Sequence, residues 1–76
     1  MTPRGHRVAR RRLVDQLRRE RERQGLSRPA LARLGGPSVE CTKGMERGNR
    51  YGPTLITAIA YADALGWGVC LTRKAP

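Results

Sequence analysis

From about Arg7 to Gln24 the polar and apolar positions follow a helical period. Leu13, Val14 and Leu17 form a narrow apolar stripe at i, i+1 and i+4, and Arg and Glu occupy the other faces. Gly25 is placed to end this helix in the left-handed conformation. Ser27 reads as the next N-cap, with Arg28 and Pro29 in a first turn where a missing N–H costs nothing. The spacing predicts a short helix over Arg28–Leu34, stopped by Gly35-Gly36-Pro37. Ser38 is a third start signal, opening a helix from Val39 to about Arg47 with Gly48 behind it. After the turn-rich Asn49–Pro53, Thr54 can cap a fourth helix running to about Leu65, where Leu55, Ala58, Ile59, Ala62 and Leu65 mark a core face. Gly66 stops it. The tail Trp67–Thr72 alternates Trp67, Val69 and Leu71 with Gly68, Cys70 and Thr72, the period of a strand.

Residues 1–6 contain Pro and Gly without periodicity and read as a flexible basic arm. The expected organisation is an arm over 1–6, a domain over 7–66 and a strand-bearing tail over 67–76. The expected fold is all-α: four helices, or five, closed by a short C-terminal β-strand. Composition supports the helical class. With no Phe, one Trp and two Tyr, the core must come from Leu, Ala, Val and Ile, whereas β-sandwich strands draw on aromatic and β-branched residues. Seventy-six residues allow one domain near the lower limit of independent stability, so dimerisation would add useful buried area.

Charge changes the picture more than composition does. Sixteen Lys and Arg face six Asp and Glu, giving +10. A density of this kind repels itself and is tolerable beside a polyanion; an anionic membrane surface or an acidic protein is the alternative. Part of the arginine excess also reads as the codon bias of a GC-rich genome. The first 23 residues hold nine Arg against three acids, whereas residues 51–76 carry a net charge of only +1. Partner contacts are therefore expected in the first two thirds of the chain. No apolar run approaches the roughly 20 residues of a membrane span. The first residues lack the apolar stretch of a secretion signal, which implies a cytoplasmic protein. Cys41 and Cys70, with only His6 to help, cannot build a disulfide framework or a four-ligand zinc site, so reduced thiols and no metal or other cofactor are expected. With no paired carboxylates, no Cys/His arrangement and no phosphate-binding Gly loop, an enzyme is not expected.

Two short helices joined by a tight Gly-containing turn, inside a basic helical domain, meet the needs of a helix-turn-helix. The second helix has to present its N-terminal half to the major groove, and the first turns its N-terminus toward a phosphate. The chain carries Leu17-Arg18, Arg21, Gly25-Leu26-Ser27-Arg28, Leu31-Ala32, Gly36-Pro37-Ser38, Met45-Glu46-Arg47-Gly48, Pro53-Thr54-Leu55 and Tyr61-Ala62-Asp63-Ala64-Leu65-Gly66, in this order and spacing from about Leu13 to Trp67. On these residues it resembles the phage repressor/Cro-like (XRE-type) helix-turn-helix regulators. The resemblance implies that Ser27 and Arg28 grip a phosphate. It places Val39, Glu40, Cys41, Lys43 and Gly44 on the exposed side of a recognition helix. It pairs Arg21 with Glu46 as a brace between the first helix and the end of the recognition helix, and lays the loop from Arg47 through Asn49 and Arg50 to Tyr51 on the DNA backbone. Gly35 and Thr42 depart from the family, which has aliphatic residues there, and Gly44 stands where it rarely has Gly. A mid-helix Gly weakens a helix by about 1 kcal/mol relative to Ala. These departures imply a looser turn and recognition helix, or an alignment shifted by one residue around Gly35-Gly36.

The recognition helix lacks, at its N-terminal end, the Gln, Asn or Arg that make the common bidentate base contacts. Glu40 could accept from a cytosine amino group; equally, it could be a solvated first-turn acid favoured by the helix dipole. Val39 or Thr42 could meet a thymine methyl, Lys43 could reach guanine or phosphate, and Ser38 and Arg47 flank the helix. Arg4, Arg7, Arg10, Arg11 and Arg12 read as general phosphate contacts, with entry into a narrow minor groove as the alternative. Cys41 reads as a small hydrophobe, not a redox switch. A lone terminal strand invites pairing with a second copy, through Trp67, Val69 and Leu71; the other reading is that these residues cover their own core. The expected function is a sequence-specific regulator, a repressor acting as a homodimer on a palindromic duplex operator. The alternatives are an antitoxin that binds a toxin and represses its own promoter, and a nucleic-acid-binding protein without base selectivity.

Overall fold

The computed structural model describes residues 3–48 and 54–70, with side chains from Val8 onward. Four helices stand among them: α1 (Pro3–Arg23), α2 (Arg28–Arg33), α3 (Val39–Glu46) and α4 (Leu55–Ala64). The last three begin at the hydroxyls expected to start them. Ser27 Oγ accepts from the Ala30 N–H, Ser38 Oγ from Cys41 and Thr54 Oγ1 from Thr57, each at 3.2 Å. Each hydroxyl satisfies one of the four N–H groups that a helix start leaves without an internal partner.

The turn between α2 and α3 needs its glycines for two different reasons. Gly35 has φ +95°, and its N–H and that of Gly36 return to the carbonyls of Ala32 and Leu31. This is the Schellman closure that a left-handed residue permits. Gly36 has no room for a side chain: a Cβ there would lie 2.8 Å from the Leu31 carbonyl oxygen and 2.9 Å from Leu31 Cγ. The chain folds back so tightly that Leu31 is wholly buried beneath it. Both helices therefore keep their expected starts, at Arg28 and Val39.

The core joins all four helices through Val14 and Leu17, Leu31, Met45, and Tyr61 with Ala62 and Leu65; Leu26 and Ala64 pack against it. Three expectations are corrected. Pro3–His6 continue α1 instead of forming an arm, since proline's fixed φ suits a first helical turn. On α4 the buried face is Ala58, Tyr61, Ala62 and Leu65, with Leu55 and Ile59 turned outward. This helix is apolar on nearly every side, so spacing alone left its rotation open; likewise Val14 and Leu17 are buried on α1 but Leu13 is 39 % exposed.

The third correction concerns the tail. No strand occurs among the described residues, and Trp67–Cys70 lie outside any regular element; Leu71 and Thr72 fall beyond the described residues. Local chemistry captures Trp67 before any alternation can act. Its backbone N–H bonds the Ala62 carbonyl at 2.9 Å across Gly66, which turns the chain back along the end of α4. No helix among the described residues is long and apolar enough to cross a membrane.

Candidate nucleic-acid interface

The expected brace is present, within a larger cluster. Glu46, in the last turn of α3, has a fully buried carboxylate. Arg21 Nε and Nη2 donate to it at 3.0 and 3.1 Å, Tyr61 Oη at 2.6 Å and Arg28 Nε at 3.0 Å. One carboxylate thus ties α3 to α1, α2 and α4. Burial pushes its pKa up, but the hydrogen bonds from Arg21, Tyr61 and Arg28 outweigh that and hold it below the ordinary carboxyl value. Burial and the adjacent carboxylate together raise the Tyr61 phenol well above its ordinary value. Arg21 loses by burial and gains more from Glu46 and Tyr61, so its pKa is raised; Nη1 also donates to the Leu26 carbonyl at 2.6 Å.

Arg28 and Arg11 are more occupied within the protein than their sequence context suggests. Arg28, expected on a phosphate, spends its guanidinium on Glu46, with its side chain 30 % exposed. Arg11, read as a phosphate contact, pairs with Asp15 and donates from Nη2 to the Glu46 carbonyl at 3.1 Å. It thereby caps the C-terminal end of α3. The signal for Tyr61 was its place in the family-like Tyr61–Gly66 run, but nothing in spacing connected its hydroxyl to Glu46. Nothing in the sequence separated Arg11 from its neighbours Arg10 and Arg12.

The outer face of α3 carries Glu40, Lys43, Gly44 and Arg47, with Val39 half-buried beside them. Glu40 is highly exposed and only loosely paired with Lys43, at 3.9 Å. Cys41 is exposed, not a small buried hydrophobe. Thr42 is corrected as a contact residue: it is fully buried, at the position where the resemblance implies an aliphatic residue, and its Oγ1 has no hydrogen-bond partner. Ser27 and Ser38 are exposed, but their hydroxyls serve as caps. Asn49, Arg50 and Tyr51 lie outside the described residues, as do the side chains of Arg4 and Arg7.

Between α1, α2 and α3 lies an open recess of about 520 Å³ lined by Arg18, Arg21, Ser27, Arg28, Val39 and Lys43, with Glu22 and Pro29 at its margin. Its cations come from three helices. Arg18 is held loosely by Glu22 at 3.7 Å, so its charge and that of Lys43 face solvent. No protein-family model, curated protein or solved structure matches the chain.

Proposed function

We propose that the protein is a double-stranded-DNA-binding transcriptional regulator of the helix-turn-helix kind, acting as a homodimer on a palindromic operator and repressing from it. The observation carrying this reading is the α2–turn–α3 unit. An exposed face of α3 is fixed from behind by one buried carboxylate and flanked by a recess of cations from three helices. In this reading α3 enters the major groove, the recess and Arg47 take backbone phosphates, and Glu40 reads a base edge.

The dimer contact is proposed away from Trp67, Val69 and Leu71. The outward stripe of α4 carries Leu55, Ile56, Ile59 and then Asp63, with no cation. Two chains of charge +10 meet there with least repulsion. In vitro selection from random duplex DNA at near-physiological salt tests the whole reading. A palindrome with half-sites about one helical turn apart is expected. Tight binding without any recovered motif would shift the function to non-selective binding, the reading favoured by the scarcity of bidentate base readers on α3.

A further inference from the structure

A second concavity lies on the far side of α1 from α3. Its floor is Leu17, Ala62 and Leu65; Leu13 on one side and Trp67 and Val69 on the other form apolar walls. It encloses about 670 Å³. The stretch of α1 that borders it, Leu13–Arg23, spans about 15 Å, the length of some ten helical residues. At 100° per residue, Leu13, Gln16, Leu17 and Glu20 share one face of α1, and Arg18 and Glu22, which line the recess described above, point well away from it. The two surfaces can be occupied together.

The walls are fixed before any partner arrives. The backbone of Trp67 is held by its N–H bond to the Ala62 carbonyl, and its side chain lines the same cavity as Glu20. Gln24 Nε2 bridges Glu20 and the Leu65 carbonyl at 3.0 and 2.9 Å. Trp67 nevertheless remains 58 % exposed and Val69 54 % exposed. Polar groups sit on the rim, and they are unequal. Glu20 is committed to Arg23 and Gln24. Arg19 donates to the backbone carbonyl of Asp15, a bond that leaves its charge uncompensated. Arg12, Arg19 and Arg23, at i, i+7 and i+11, form a basic row along one edge.

We propose that this groove docks an acidic amphipathic segment of another protein, with apolar side chains between Leu13 and Trp67 and carboxylates along the arginine row. Charge complementarity selects this occupant over a second copy. A second copy brings a net charge of +10, and four of its six acids, Asp15, Glu20, Glu22 and Glu46, are already paired with its own arginines. An apolar groove bordered by a row of arginines, whose one carboxylate, Glu20, is already paired, is what an acidic amphipathic helix recognises. The inference stands independently of DNA binding.

Trp67 is the chain's single tryptophan, which makes it a built-in reporter. The probe is a synthetic 14-residue helix with Leu at i, i+3, i+4 and i+7 and Glu elsewhere, titrated into the full chain while Trp67 emission is followed. A saturable blue shift is expected. It should be absent with the same peptide carrying Ser for Leu, and absent with Lys for Glu. Leu13→Glu and Arg19→Glu should each raise the dissociation constant at least tenfold, and Arg33→Glu, an equal charge change on exposed α2, should leave it within about twofold. Both groove positions are solvent-exposed, and circular dichroism checks that the variants fold. An absent shift overturns the proposal, as does an equal shift with the Ser peptide. Equal weakening by Arg19→Glu and Arg33→Glu would reduce it to diffuse attraction. A concentration-dependent shift in the chain alone, with a two-chain sedimentation mass abolished by Leu13→Glu, would place a second copy in the groove instead.

Discussion

Glu46 accepts four hydrogen bonds in a site closed to water, so the cost of changing it is asymmetric. Removing the carboxylate leaves the Arg21 guanidinium buried and unpaired, and breaking such a pair costs about 3–5 kcal/mol. For a domain of this size, that approaches the whole of its stability. Glu46→Ala is therefore expected to be largely unfolded at 25 °C by circular dichroism. The pH dependence follows from the same site. The Glu46 carboxyl is depressed in the folded protein, so its contribution is complete above the ordinary carboxyl range near pH 4 and is lost as pH falls toward the folded value. The Tyr61 phenol is raised, so its contribution holds below about pH 10 and is lost above. Urea midpoints across pH should fall at both ends, and Tyr61→Phe should remove part of the alkaline loss and, by taking one hydrogen bond from Glu46, part of the acid loss as well. Thr42 poses the opposite case. Its orphaned hydroxyl carries a desolvation penalty of about 1–3 kcal/mol that nothing offsets. Thr42→Val keeps the shape and is expected to raise the melting temperature by several degrees.

Helix starts and stops were legible in the sequence because they are decided locally. A serine or threonine hydroxyl reaches an N–H three residues on, and a glycine accepts a left-handed φ, whatever the rest of the chain does. Ser27, Ser38 and Thr54 all behave so. The brace of Arg21 with Glu46 was also foreseen, but through family resemblance, not from spacing. What escaped was decided by packing. The rotation of α4 depends on Tyr61 reaching Glu46, fifteen residues back, and the tail depends on Trp67 folding back to the Ala62 carbonyl, beside Leu17 and Leu65. A six-residue alternation is too weak a signal to survive such a contact. The role of Arg11 at the end of α3 is likewise long-range, over thirty-five residues. Gly36 gives a test at this scale. Its missing Cβ is enclosed partly by backbone, which cannot yield as a side chain would. Gly36→Ala should cost about 1–3 kcal/mol, the range for overpacking, read as a lowered urea midpoint.

Across the whole molecule, cations crowd one end of the chain and aliphatic residues collect on α4, so the proposed DNA and dimer surfaces separate. Arg47→Ala should weaken binding to every duplex alike and reduce the slope of log K against log salt by about one, as loss of one phosphate contact does. Glu40→Ala should instead relax preference at a single base pair, leaving the slope unchanged or binding tighter. Ile56→Asp, at a site 80 % exposed, should leave the fold intact and halve the sedimentation mass. An unchanged mass would remove the α4 stripe from the dimer. The Glu46 cluster has a further consequence for how the domain can be used. Helices of six and eight residues do not persist alone in water. Here they are held by Arg21 from α1 and Tyr61 from α4, so the α2–turn–α3 segment is not a portable module. Grafted onto another scaffold without those two helices, it would arrive as an unfolded peptide with its sequence intact and its shape gone.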